Sequence, residues 1–112
     1  MNPAGARAEE QCVQFLRSQG LAILERNWRC RLGEIDVIAE DRGIVVFAEV
    51  RMRSQGGFGG AAESITAAKR ARLIAAARLF LCRRPTAACR FDVLLVGRQA
   101  STIEWIRDAF AE

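Results

Sequence analysis

Histidine is absent from this chain. That gap excludes Ser-His-Asp and Cys-His catalysis, and imidazole general acid–base chemistry with them. It also argues against a Cys/His zinc site, because Cys12, Cys30, Cys82 and Cys89 contain no C-x-x-C pair. The thiols read as reduced, small core residues. Hydrophobic residues make up 51% of the chain, yet no apolar run approaches the roughly 18 residues of a membrane span. Met1 to Arg17 is polar and amphipathic, with no apolar stretch of signal-peptide type, so the expected location is cytoplasmic and no membrane partner is expected. Acid is missing locally. Between Ser64 and Phe91 stand Lys69, Arg70, Arg72, Arg78, Arg83, Arg84 and Arg90, with no Asp or Glu. The net charge is +4, and this segment supplies all of the positive excess. A concentrated basic face points to a polyanion partner; a solvated arginine-rich helix is the alternative.

The 112 residues read as a single domain over 1–112, long enough to bury a core without metal or disulfide staples. Residues from about Ala6 to Gln19 carry an apolar stripe of helical period, and Gly20 follows as a C′ glycine. Leu21 to Arg29 reads as a strand, Arg31 to Gly33 as a turn and Glu34 to Glu40 as an alternating strand. Asp41-Arg42-Gly43 signals a hairpin, and Ile44 to Arg53 a third strand. Four glycines between Ser54 and Gly60 mark a loop. Ala61 to Leu81 reads as a helix whose Ala61, Ile65, Ala68, Ala76, Leu79 and Phe80 face the sheet, with Lys69 and Arg72 inside the stripe. Arg90 to Val96 and Thr102 to Ile106 complete the strands. The α-β-β-β-α-β-β order predicts an α/β fold with a mixed central sheet covered by helices.

Two strands carry a carboxylate among aliphatic neighbours: Asp36 in Gly33-Glu34-Ile35-Asp36, and Glu49 in Val46-Phe47-Ala48-Glu49-Val50-Arg51. If the strands are adjacent, Asp36 and Glu49 can meet and hold a divalent cation, because Mg²⁺ accepts one or two carboxylates plus waters and phosphate oxygens. Arg51 lies about 6.5 Å further along Glu49's own face, by the strand rise. Two exposed carboxylates paired with arginines are the structural alternative. Buried flanking residues weaken it, since a buried carboxylate needs a partner. Trp28 and Trp105 read as sheet anchors, and Asp92 as a structural residue paired with Arg90.

Arg26-Asn27-Trp28-Arg29, Gly33-Glu34-Ile35-Asp36, Val46 to Arg53, Lys69 with Arg72-Leu73, and Arg90-Phe91-Asp92-Val93 together resemble the YraN family over about Gly5 to Phe110. This is a bacterial family of predicted endonucleases with a restriction-endonuclease-like fold, similar to Holliday-junction resolvases. The resemblance implies a PD-(D/E)-x-K-type site acting on nucleic acid, with DNA favoured over RNA, and Mg²⁺ or Mn²⁺ as cofactor. It makes Asp36 and Glu49 the metal ligands, with Glu9 completing the site. Glu10 is the weaker candidate, and Glu34 is either a further ligand or a surface residue. Lys69 matches a lysine on the family's second helix, and Arg51, Glu9 and Lys69 join the acid pair as candidate catalytic residues. Arg53, Lys69, Arg72, Arg83 and Arg84 are the expected contacts to the nucleic-acid backbone. Arg51 departs from the family pattern, which has lysine there. Arginine stays protonated and cannot accept a proton from water, so a catalytically weak or inactive binding module is the alternative. Phe58, in the glycine loop, suits a wedge against a base, a contact in a homodimer, or a core cap.

Overall fold

The computed structural model of the protein describes residues 3–52, 65–97 and 102–111. Its elements are α1 (Pro3–Ser18), β1 (Ala22–Cys30), β2 (Gly33–Asp41), β3 (Ile44–Met52), α2 (Ala67–Leu81), β4 (Cys89–Val96) and β5 (Ile103–Phe110), in the expected order. The strands form one five-stranded sheet, β1-β2-β3-β4-β5. Every neighbouring pair is antiparallel except β3–β4. That parallel pair needs a crossover connection, and α2 supplies it. This is the restriction-endonuclease-like arrangement implied by the motifs.

Local chemistry explains where the elements stop. Gly20, at φ +92°, closes α1. Its amide donates to the Arg17 carbonyl and that of Leu21 to the Leu16 carbonyl, each at 3.0 Å, the paired bonds of a Schellman ending. Arg42 and Gly43 both take positive φ (52° and 85°), so β2 and β3 join through a two-residue turn that matches strand twist. At α2, Thr66 Oγ1 accepts from the Lys69 amide at 3.1 Å, a side-chain N-cap. Thr66 itself is extended (φ −65°, ψ 158°), so it resets the helical phase. The stripe counted from Ala61 therefore holds only in part: Ile65 and Ala76 are buried and Phe80 packs on the core as expected, but Leu73 and Ala77 are buried too, whereas Ala68 and Arg72 are exposed. Residues 61–64 lie outside the described residues.

One helix covers each face of the sheet. Ala8, Cys12, Val13 and Leu16 of α1 pack on Val37, Ala39, Val46, Ala48, Leu94 and Val96. Leu73, Ala76 and Ala77 of α2 pack on Ile38, Val45, Phe47, Phe91 and Val93. The alternation Val45/Val46/Phe47/Ala48 thus divides β3 between two cores, as a two-sided central strand requires. Phe47 stacks on Phe91 at 5.5 Å and meets the edge of Phe80 at 5.9 Å. All four cysteines are free, and Cys12 is buried. Cys82 is the exposed C-cap of α2 rather than a core residue. Among the described residues no helix is long and apolar enough to cross a membrane.

β5 runs past Ile106, where its alternation ends, to Phe110, because a bulge lies between the pairs Val93↔Ile106 and Phe91↔Phe110. Asp108, inside the bulge, takes φ +51°. Its amide donates to Asp92 Oδ1 at 3.0 Å, while Trp105 Nε1 donates to Asp92 Oδ2 at 2.8 Å. Arg90 Nε lies 3.1 Å from Asp92 Oδ1, and Arg90 Nη2 lies 3.0 Å from Asp41 Oδ2. Asp92 is 1% exposed, so each carboxylate oxygen has its donor in place of water. Asp92→Ala leaves Arg90 Nε and the Trp105 indole N–H without their acceptor. It is expected to cost about 3 kcal/mol of folding free energy or more, measured by urea unfolding; a loss below about 0.5 kcal/mol, the range of a neutral surface change, would show the network to be dispensable.

Candidate active site

The site forms where the sheet divides. Pairing of β2 with β3 runs from Asp41↔Ile44 to Val37↔Ala48 and ends, one step before Asp36 would face Glu49. β2 nevertheless continues along β1 as far as Cys30↔Gly33. β2 therefore leaves β3 at the level of Asp36, and the Asp36 carboxylate enters the opening. The Val50 amide donates to Asp36 Oδ2 at 2.9 Å, a side-chain bond where the ladder has ended.

The distortion crosses three strands. Asn27 lies between the pairs Arg26↔Val37 and Trp28↔Ile35, opposite Asp36, and takes φ +51°, a conformation that asparagine tolerates better than most residues. Side-chain alternation fails here. Ile35 and Ile38, three apart, share the α2-side core, whereas Val37 faces α1. Trp28 packs edge-on against Phe80 of α2 at 5.4 Å, while Arg26 reaches Glu10 of α1 at 3.1 Å.

The bond from the Val50 amide holds the Asp36 carboxyl beside Glu49, and the Asp36 carboxyl is pushed up to about 7. Burial is the main cause; the hydrogen bond and charge of Glu49 add to it, and the Val50 amide and Lys69 oppose it. Glu49 is 3% exposed. Lys69 of α2 brings Nζ to 2.8 Å from Glu49 Oε2, although that oxygen accepts no well-directed hydrogen bond. The pairing is thus principally coulombic, with charge offset at an angle outside the hydrogen-bond range. The capped first turn of α2 places Lys69 there, with the positive end of the helix dipole on the same side.

Glu9 of α1 is 8% exposed. Burial raises its carboxyl; a hydrogen bond with Asn27 works against this, and the charges of Asp36 and Glu34 add to it. Cys12, one turn further along α1, is raised to about 12 by burial and then by the charges of Asp36 and Glu9, which leaves an inert thiol under the acids. Glu9 thus lies near enough to Asp36 for the two charges to act on each other. Among the described residues no group of three acids, cysteines or histidines is close enough to hold one ion. Glu10 is exposed and occupied by Arg26 and Gln14. Glu34 is exposed and lies 3.5 Å from Arg29.

The remaining candidates fall in three places. Arg51 is half-buried on β3 opposite Leu95. Arg72 is exposed, and with Gly33, Glu34, Lys69 and Leu73 it lines a cavity of about 160 Å³. A Cβ at Gly33 would meet the Arg72 carbonyl oxygen at 3.4 Å, an ordinary contact, so β2 lies against the helix backbone here. Arg83 and Arg84 are exposed beyond the other end of α2, about 20 Å from Lys69 at 1.5 Å per residue. Only the first part of the basic segment therefore adjoins the carboxylates. Arg53 and Phe58 lie outside the described residues. Asn27 went unnoticed as a site residue because, in the Arg-Asn-Trp-Arg run, it reads as the end of a strand. Its tolerance of positive φ was the available signal.

With this geometry in hand, the chain can be set beside known proteins. The profile of the uncharacterised protein family UPF0102 matches residues 8–96, a span that includes Glu9, Asp36, Glu49, Arg51, Lys69 and Arg72. The chain is 51% identical over 112 residues to a UPF0102 protein of Methylobacillus flagellatus, covering 99% of each. It is 53% identical over 110 residues to one from Nitrosomonas europaea, covering 96% of this chain and 93% of the relative. With one from Nitrosococcus oceani the identity is 50% over 111 residues, covering 95% and 90%.

Proposed function

This chain belongs to the UPF0102 family, the same family as YraN, and from the geometry of its site we propose that it is a divalent-cation-dependent phosphodiesterase acting on nucleic acid, DNA in preference to RNA. The observation that carries this reading is the convergence of Asp36 and Glu49 where β2 leaves β3, with Asp36 bonded to the Val50 amide and Glu49 buried. Two carboxyls held together and shielded from water need a proton or a cation between them.

The donor set fits Mg²⁺ or Mn²⁺. Both oxygens are hard ligands, and such a cation keeps waters and phosphate oxygens in its other positions. Asp36 and Glu49 would hold it, with Glu9 within reach of the Asp36 charge. When bound, the cation supplies charge that polarises a phosphate and activates water. The chain's own residues do the rest. Lys69, now paired with Glu49, offsets negative charge on a phosphate that enters beside the pair. Arg72, on the wall of the adjoining cavity, contacts a neighbouring phosphate. Arg51 grips phosphate through its planar fork but takes no proton.

Arg51 also favours a second reading, a nucleic-acid-binding module of the same fold with little or no turnover. Nicking of plasmid and branched duplex DNA separates the two. The native protein is expected to cleave slowly with Mg²⁺ and faster with Mn²⁺. Arg51→Lys should raise the rate, and Lys69→Met should lower it about 100-fold, the scale of losing one charge-stabilising donor. Duplex binding without cation-dependent cleavage, in both the native protein and Arg51→Lys, would establish the second reading instead.

A further inference from the structure

The β1–β2 turn has an unusual composition for its position. Cys30 pairs with Gly33, so Arg31 and Leu32 alone make the loop. Two-residue loops favour Gly, Asn and Asp. Leu32 nevertheless occupies this one, 38% exposed and joined to neither core. Nothing in the fold requires an apolar side chain there.

Its surroundings are basic and adjoin the acid pair. Arg31 is exposed, and the Arg29 side chain is 74% exposed. Glu34, the nearby acid, lies 3.5 Å from Arg29 and so is largely offset. Gly33 and Glu34, which follow Leu32 directly, line the cavity shared with Lys69 and Arg72. From Leu32 to Asp36 is about 13 Å along the strand, about four base steps of a duplex at 3.4 Å per step.

We propose that this hairpin tip is a wedge for double-stranded DNA: Leu32 enters between base pairs while Arg29 and Arg31 hold the flanking phosphates. The proposal rests on the nucleic-acid reading of the site and adds a mode of substrate engagement to it. Charge selects the occupant, because two exposed arginines on the β1 side of one exposed leucine suit a polyanion with an apolar interior, which is what a stacked duplex offers. Apolar side chains inserted between base steps unstack and kink DNA in this way. A wedge spends part of its binding energy on opening the stack, so substrates already opened, by a mismatch or a branch, bind best.

The test uses the full chain and three DNA probes of equal length: a paired duplex, the same duplex with a central mismatch, and a single strand. Affinities are measured by fluorescence anisotropy in Ca²⁺, which limits cleavage. The native protein should prefer the mismatched duplex to the paired one. Leu32→Ala should weaken binding to the paired duplex about tenfold, the scale of removing one buried leucine from an interface. It should leave the single strand and the melting temperature unchanged, and Leu32→Phe should restore the duplex. Duplex binding by the native protein that neither Leu32 variant alters by more than about twofold would overturn the wedge and leave the reading of the site standing. Failure of the native protein to bind any probe would overturn both. Loss of a dimer in Leu32→Ala, seen by sedimentation with duplex affinity unchanged, would make the tip a contact between copies and overturn the wedge as well.

Discussion

Glu49→Gln is expected to reduce cation-dependent cleavage by about three orders of magnitude or more, the scale on which removal of a central catalytic group acts, while the protein still folds. Glutamine keeps the length and one acceptor oxygen, so Lys69 retains a neighbour and Asp36 a hydrogen-bond partner. What is lost is a charge. Titration calorimetry with Mn²⁺ should therefore show binding to the native protein and none to Glu49→Gln, with unchanged circular dichroism. Asp36→Asn should repeat the loss. Equal Mn²⁺ affinity in native and variant proteins would remove Asp36 and Glu49 as ligands, and the proposed reaction with them.

The metal-free protein should lose stability as pH rises from about 4 to about 7. Asp36 titrates near 3.8 when solvated and at about 7 in the fold. Between those values the folded state holds a proton that the unfolded chain has released. The folded state then binds more protons than the unfolded state, so unfolding free energy falls with rising pH and levels off above the folded value. At about 1.4 kcal/mol for each tenfold change in proton affinity, this group contributes a few kcal/mol at most. Glu9, raised by burial, acts with the same sign. Thermal unfolding in chelator at pH 5 and pH 8 should show the drop, and Asp36→Asn should flatten it. Mn²⁺ added at pH 8 should restore the stability, since a cation takes over from the proton. A native melting temperature equal or higher at pH 8 would contradict the buried acid pair.

Element order was legible because each boundary has a local cause. Gly20 stops α1, Arg42-Gly43 turns the chain, and the alternation along β3 marks a strand with two buried faces. Asp92 with Arg90 was also readable as a structural pair, from its position in a strand beside a same-face arginine. Three features were not readable from regular periodicity. Strand alternation assigns Asp36 and Glu49 to one face of a regular ladder, yet they meet where the ladder ends, and the departure of β2 toward β1 is a property of three strands together. The α2 stripe was misplaced in part because Thr66 caps the helix and restarts its phase, so counting from Ala61 buries Ala68 and overlooks Leu73 and Ala77. The basic segment looked continuous in sequence, whereas the length of α2 carries Arg83 and Arg84 away from the carboxylates.

The bulges described above also bear on how the chain meets copies of itself. Both outer strands are irregular: β1 shifts register between Ile23 and Glu25 and takes a positive φ at Asn27, and β5 does the same around Asp108. A flat outer strand would present a row of free amides and carbonyls to any passing strand, and bulges that twist the edge interrupt that template. Edge-to-edge addition of strands is therefore disfavoured at each end. Crowding the protein should therefore give discrete oligomers in preference to filaments, as measured by light scattering.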